Sequence, residues 1–341
     1  RPALMIGYGA AALGAAGAVV AVTLDSWPAL LLALLLFGSA TAAGLAARFA
    51  ATDLAEPRHR ARALAIVVWA VTVGAVAGPN IAPVAQEWAG GWGIEPAAGP
   101  FVLSAVAFGV AAAAVAAGLR PDPLRIARAA PAAADEAATE STPSPTRSVL
   151  QVMRDVPAAR LAVGAIATAH LAMVGLMSLT PVHMDHGGAS LRLVGVVISL
   201  HVAGMYVLSP LFGLLADRWG RLPVLALGAL TLVAAGLVAG SADSTDAVRL
   251  SVGLVALGLG WSAALVAGSA LLTDAVPLTD RVRVQGFSDV TMNASGAVGG
   301  LLAGVVVATL SYAVLGLVVA VLAAPLLALV LRAAVRRPAA A

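Results

Sequence analysis

No cysteine and no lysine occur in this chain of 341 residues, and only 11% of its residues are charged and 4% aromatic. Without cysteine there is neither a disulfide framework nor a thiolate metal site. Without lysine there is no phosphate-binding loop of the G-x-x-x-x-G-K-[ST] type, so nothing points to direct drive by ATP. The G-x-S-x-G elbow and the H-E-x-x-H zinc helix are missing too, and no enzyme centre, metal or cofactor is expected. A soluble domain carries roughly 25% charged residues. Here 61% of the residues are hydrophobic, with a mean hydropathy of +0.97. The solvent that suits such a chain is a lipid bilayer.

A membrane-spanning helix needs about 20 apolar residues. Ten segments qualify, at roughly 3–24, 28–50, 62–84, 99–119, 160–183, 191–214, 222–241, 247–271, 285–309 and 311–332. Their backbones must satisfy themselves in lipid, so they are predicted to be helices. With Arg1 on the cytoplasmic side, eighteen arginines fall on that side, and only Arg192 and Arg249 fall on the other. This is the positive-inside bias of a multi-pass protein of the cell membrane. It also explains the basic balance without any nucleic-acid partner. Trp27, Trp88 and Trp92 fall at the outer interface, where indoles anchor. Residues 120–158 lose the apolar pattern and crowd Pro, Ala, Glu, Ser and Thr, as in Pro143-Ser144-Pro145-Thr146. They read as a flexible cytoplasmic linker.

A shift of 221 residues lays the chain partly on itself. Pro2 falls on Pro223, Leu4 on Leu225, Gly7 on Gly228, Thr52-Asp53 on Thr273-Asp274, Arg60 on Arg281, Arg62 on Arg283 and Gly78 on Gly299. The first four spans thus correspond to the last four, and the first half lacks partners for 160–183 and 191–214. The chain opens on Arg1-Pro2 without Met, and we read it as N-terminally truncated. The implied plan is twelve helices in two six-helix halves, a parallel-repeat transporter architecture. The expected organisation is an N-terminal half at 1–119, the linker at 120–158 and a C-terminal six-helix half at 159–341.

Between two apolar spans lies Gly213-Leu-Leu-Ala-Asp217-Arg218-Trp-Gly220-Arg221. It resembles the G-x-x-x-D-R-x-G-R loop of the major facilitator superfamily. The resemblance implies a cytoplasmic gate in which Asp217 caps a neighbouring helix and pairs with an arginine, with Arg218 also taking part. Gly74-Ala-Val-Ala-Gly78-Pro79 is similar to the G-x-x-x-G-P motif of members that export by antiport. Gly74 and Gly78 lie one turn apart, which permits close helix contact, and Pro79 permits a bend. The trailing glycine pair of that motif is replaced by Ala82-Pro83. The arginine that many drug–proton antiporters carry in the fourth helix is replaced by Leu34. The stretch from Leu176 to Tyr206 looks like an actinobacterial subgroup of permeases.

An ionisable group inside the membrane is a functional candidate by default. Asp289, a few residues into the span 285–309, is the leading proton carrier. Its other readings are a helix-start carboxylate or a partner for Arg281 or Arg218. Asn293, one turn on, can bind solute or hold helices together. His201 and His170 sit mid-span and can titrate, or serve as neutral packing groups. Trp69, Tyr206 and Trp261 can line a cavity for an aromatic or amphiphilic solute, or simply pack. His183, Asp185 and His186 cluster on an expected outer loop, where solvation is the simplest reading.

The resemblance implies an all-α protein of the major facilitator fold. Its expected function is secondary transport, by proton-coupled efflux of a small organic solute through alternating access. The alternatives are a proton-coupled importer, or a non-transporting receptor or scaffold. The expected partners are the lipid bilayer, the solute and protons, with the protein as a monomer. The truncated form is expected to be inactive by itself.

Overall fold

In the computed structural model, residues 1–53, 55–122, 126 and 148–335 are described. The helices in chain order are α1 (Pro2–Thr23), α2 (Trp27–Phe37), α3 (Ser39–Ala50), α4 (Arg60–Gly91), α5 (Gly99–Gly118), α6 (Val149–Asp155), α7 (Pro157–His186), α8 (Leu191–Tyr206), α9 (Ser209–Trp219), α10 (Arg221–Gly240), α11 (Ala247–Ala275), α12 (Leu278–Thr309) and α13 (Tyr312–Val335). No strand occurs among the described residues. Nine helical spans there are long and apolar enough to cross a membrane. The remaining expected span, 62–84, lies within α4, which runs for 32 residues.

Two compact units emerge. One holds 1–54 with 73–143, and the other holds 55–72 with 144–341. The first turns of α4 therefore belong with the C-terminal helices, although their sequence falls in the expected N-terminal half. In the first unit α1 packs against α2, α3 and α5. Phe37 at the end of α2 meets Phe101 and Phe108 edge-on, with centroids 6.2 and 5.7 Å away. In the second unit α10 packs against α11 and α13, and α7 against α11, α12 and α13. Helix α11 is the central post, with 72% of its most apolar window buried.

The repeat is visible in these contacts. A Cβ on Gly7 would lie 2.8 Å from Ala43 Cβ and 3.5 Å from Ser39 O. A Cβ on Gly228 would lie 3.0 Å from Gly260 O and 3.1 Å from Ala264 N. All three positions of the second triplet lie 221 residues after those of the first. Small residues at the crossing let the backbones approach, and contact between helices drives their association in lipid. Thr52 and Thr273, also matched, are both buried, and each hydroxyl donates to a carbonyl of the preceding turn.

Several expectations about local structure are corrected. The span 28–50 breaks at Gly38, where the Ser39 hydroxyl donates to Leu36 O and Gly7 O. Such side-chain bonds compete with the helical ladder. The span 191–214 breaks after Tyr206 because Pro210 has no N–H for the Tyr206 carbonyl; the Ser209 hydroxyl donates to it instead, at 2.7 Å. The stretch expected to be a loop at 213–221 is helical through Trp219, and only Gly220, at φ +95°, turns the chain. That left-handed region is open to glycine without a Cβ clash. His183, Asp185 and His186 occupy the last turn of α7 rather than a loop. At the end of the expected linker, Val149–Asp155 is a helix capped reciprocally by Ser148 and Gln151. Residues 127–147 of that linker lie outside the described residues.

Candidate functional site

At the end of the second unit where α4 begins, one carboxylate gathers three elements. Asp217, on the last turns of α9, accepts the backbone N–H of Ala61 at 3.2 Å and of Arg62 at 2.9 Å. These belong to the first turn of α4, whose N–H groups have no intrahelical partner. A carboxylate there also meets the positive end of the helix dipole. Arg221, just past Gly220, donates to Asp217 at 2.8 Å, to Ala216 O at 2.7 Å and to Asp274 at 3.0 Å. Arg60 closes the chain by donating to the other Asp274 oxygen at 2.9 Å. The Asp217 side chain is 5% exposed and that of Arg221 is 10% exposed. Arg218, expected to share the gate, is exposed.

The close approach that this geometry needs comes from Gly213. A Cβ there would lie 2.6 Å from Ala65 Cβ and 2.8 Å from Ala61 O. One helical turn earlier, the buried Ser209 hydroxyl donates to Ala65 O at 3.1 Å. The motif residues Gly213, Asp217, Gly220 and Arg221 thus form a clamp on α4. Just before α4, Arg58 bonds the exposed Glu56 carboxylate at 2.7 Å and holds its pKa below the usual range.

Gly74 and Gly78 lie on α4, and among the described residues no atom beyond α4's own backbone and chain neighbours comes within 4 Å of a Cβ at either position. Pro79 falls inside the same continuous helix. Leu34 lies on α2.

Deeper in the second unit three rings meet. The Trp261 indole N–H on α11 donates to His170 Nδ1 on α7 at 3.0 Å. Tyr206, the last residue of α8, stands edge-on to Trp261 at 5.8 Å. An indole N–H only donates, so His170 Nδ1 carries the lone pair and the ring is neutral in this arrangement. Beside it an open groove of about 540 Å³ is lined by His170, Val174, Asn293, Gly296, Gly300 and Leu301, among others. Gly296 makes room for the imidazole, since a Cβ there would lie 2.6 Å from its Cδ2.

Asn293 is exposed, and its amide donates to the backbone carbonyl of Asp289 at 2.8 Å. Asp289 is partly exposed. Helix α12 begins at Leu278, seven residues earlier than expected. Asp289 therefore stands about 16 Å along the helix, well past the first turn where the dipole acts. The helix-start reading of this carboxylate falls away.

His201 is separated from this group. It is fully buried between α8 and α11, where Nδ1 lies 2.7 Å from Leu254 O. That carbonyl requires an N–H at Nδ1, and the buried Nε2 has no hydrogen-bond partner. His183 stacks on Tyr312 at 4.1 Å, with Nε2 3.2 Å from Ala242 O. Among the described residues no group of three His, Asp or Glu side chains is placed to hold a metal.

The Arg60–Asp274 bond was not expected, nor was buried Gln285, whose amide reaches Thr273 Oγ1 at 3.4 Å. The repeat had singled out Arg60, Thr273 and Asp274, which was a usable signal.

Residues 1–190 and 165–341 each match the sequence profile of the family described as Major Facilitator Superfamily. The chain is 38% identical to YddS, an uncharacterised MFS-type transporter of Bacillus subtilis, over 92% of this chain and 72% of that protein. It is 28% identical to the riboflavin transporter RfnT of Brucella anthropi, over 75% of this chain and 60% of that one. Among solved structures, the human organic anion transporter MFSD10 superposes with a TM-score of 0.71 at 17% identity, covering 97% of this chain and 76% of that one. The transporter FucP in its outward conformation superposes with a TM-score of 0.66 at 15% identity, covering 97% and 82%.

Proposed function

The chain belongs to the Major Facilitator Superfamily, and from that premise we propose that it is a proton-coupled antiporter of the cell membrane that exports a small, planar, amphiphilic solute. The observation that carries this reading is the clamp of Asp217 on the α4 N-terminus. Its two N–H donors, its arginine and its glycine contact all depend on one position of α9 against α4. A charged cluster of this kind forms in one state and is hydrated in another, as a two-state gate requires. Desolvation offsets much of the Coulomb gain of such pairs, which keeps the two states close in free energy.

The solute and the proton compete at the second cluster. Trp261 and Tyr206 offer faces on which a flat ring system can stack, and the neighbouring groove carries the Asn293 amide for a polar edge. A proton on His170 Nδ1 removes the acceptor of the Trp261 N–H, so protonation turns the indole away from its present position. A solute stacked on Trp261 favours the neutral imidazole. Mutually exclusive occupation is the elementary condition for antiport. Among the described residues no aspartate, glutamate or arginine lines this groove. Asp289, two turns before Gly296 on the same helix, remains the candidate relay toward the cytoplasm.

The test is reconstitution in liposomes holding a pH-sensitive dye under an inward proton gradient. Riboflavin is the first compound added, because one relative carries it, followed by a panel of planar amphiphiles. Compound-triggered proton movement is expected, and it should fall at least tenfold in His170→Phe and in Asp289→Asn. Proton flow in the same direction as the solute would establish import in place of antiport. Movement unchanged in both variants would remove these residues from the coupling route. Trp261→Phe keeps the ring and deletes the N–H. It should leave solute binding within about threefold and change the number of protons moved per solute, by freeing Nδ1 from the indole. An unchanged proton-to-solute ratio would refute the competition.

A further inference from the structure

Helices α7 and α13 enclose a groove of about 660 Å³ on the cytoplasmic half of the second unit. Pro157, Arg160, Leu161, Gly164 and Thr168 line one wall at the three- and four-residue spacing of a single helix face. Leu322, Pro325, Leu326, Leu329 and Arg332 line the other wall. Pro325 leaves the Val321 carbonyl without its ladder partner, and a Cβ at Gly164 would meet nothing within 4 Å.

The two ends of the groove differ. Arg160 and Arg332 both line the cytoplasmic mouth, and among the described residues no acidic one lines it. The Arg160 guanidinium is pinned there by donating from Nη1 to Met153 O at 2.9 Å and Arg154 O at 3.1 Å. At the same mouth α7 begins at Pro157 behind Val156, with no side chain capping its first turn. The positive end of this 30-residue helix lies at the same mouth as the two guanidinium groups. Beyond the mouth the lining is apolar except for the Thr168 hydroxyl. From Pro157 to Thr168 the wall runs for about 16 Å, close to the ~15 Å depth of one leaflet's hydrocarbon.

We propose that this groove binds one acidic phospholipid of the cytoplasmic leaflet, with its phosphodiester between Arg160, Arg332 and the α7 N-terminus and one acyl chain along Leu161, Gly164 and Leu329. A guanidinium pair matches a phosphodiester in charge and geometry. Basic pockets between helices at the cytoplasmic surface are suited to anionic headgroups. The apolar wall specifies a lipid rather than a free anion. The assignment stands independently of transport direction and substrate.

Native mass spectrometry of the purified protein tests it, with dioleoyl-phosphatidylglycerol and dioleoyl-phosphatidylcholine supplied in equal amounts. The expected result is selective retention of one phosphatidylglycerol. Retention should weaken about fivefold on losing either arginine and roughly 30-fold in R160Q/R332Q. The pair Arg160→Lys and Arg332→Lys should restore most of it. Gly164→Trp fits the open position and fills the tail channel, so it should displace the lipid with both arginines in place. Equal retention of the two lipids, undiminished retention in R160Q/R332Q, or displacement by millimolar inorganic phosphate alone would overturn the assignment. The last outcome would leave only a surface anion site.

Discussion

Replacing Asp217 by asparagine is expected to loosen the clamp of α9 on α4. Asparagine keeps one carbonyl oxygen for the α4 amides but loses the second acceptor and the charge that Arg221 meets. Charge-assisted hydrogen bonds contribute roughly 1.5–3 kcal/mol each. Losing even part of this set shifts the closed-to-open ratio by about 2 kcal/mol, or roughly 30-fold. The absence of cysteine gives a clean readout. Ser209 is fully buried with its hydroxyl on Ala65 O, so Ser209→Cys places a single thiol beneath the clamp. Maleimide labelling of that thiol should be slow alone and at least tenfold faster with Asp217→Asn, while transport collapses. Arg221→Gln should behave similarly, because Asp217 then stays partly buried without its cation. The exposed Arg218, changed to Gln, should do little. Equal labelling rates in all variants would show that the cluster is a fixed strut and no gate.

The second large effect is on assembly of the C-terminal helices. A Cβ on Gly316 of α13 would lie 2.5 Å from Gly236 O and 2.8 Å from Gly240 N, both backbone atoms of α10. Backbone cannot rotate aside, so the two helices must part and lose their dispersion contacts along the whole crossing. Gly316→Ala is expected to cost roughly 2–3 kcal/mol, as overpacking of a filled interior does. At Gly304 of α12 a Cβ meets nothing within 4 Å. Gly304→Ala is therefore expected to be neutral or to stabilise by up to ~1 kcal/mol, through helix propensity alone. The two substitutions are chemically identical, and only Gly316→Ala should lower detergent stability. A like response would mean that the Gly236–Gly316 crossing does not hold these helices together.

The spans were legible because hydropathy and arginine placement report the bilayer directly, one segment at a time. The 221-residue repeat was legible for the same reason, and its matched glycines prove to be contact points at Gly7 and Gly228. Breaks within spans were harder to see. The one at Tyr206 depends on Pro210, which a hydropathy window averages away. The one at Gly38 depends on a hydroxyl that reaches across to α1. In the gate motif, reading 213–221 as a loop drew attention to Arg218 beside Asp217. A helix ending at Trp219 instead swings Arg221 round Gly220 onto Asp217. The meeting of His170, Trp261 and Tyr206 joins positions far apart in sequence, and no local pattern encodes it. The start of α12 was placed too late because its first seven helical positions are mostly polar.

The glycine face of α10 also bears on how the protein is made. Gly228 finds its partner in α11, the next helix to be synthesised, whereas Gly236 and Gly240 wait for Gly316, more than seventy residues later. At translation speeds of about 5–20 residues per second, that interval lasts several seconds. Through it a flat, side-chain-free strip of α10 faces lipid, where a second nascent copy or a membrane chaperone can occupy it. Slowing the ribosome between 247 and 311 should therefore raise the share of mispaired chains that membrane proteases remove, without altering any contact of the finished protein.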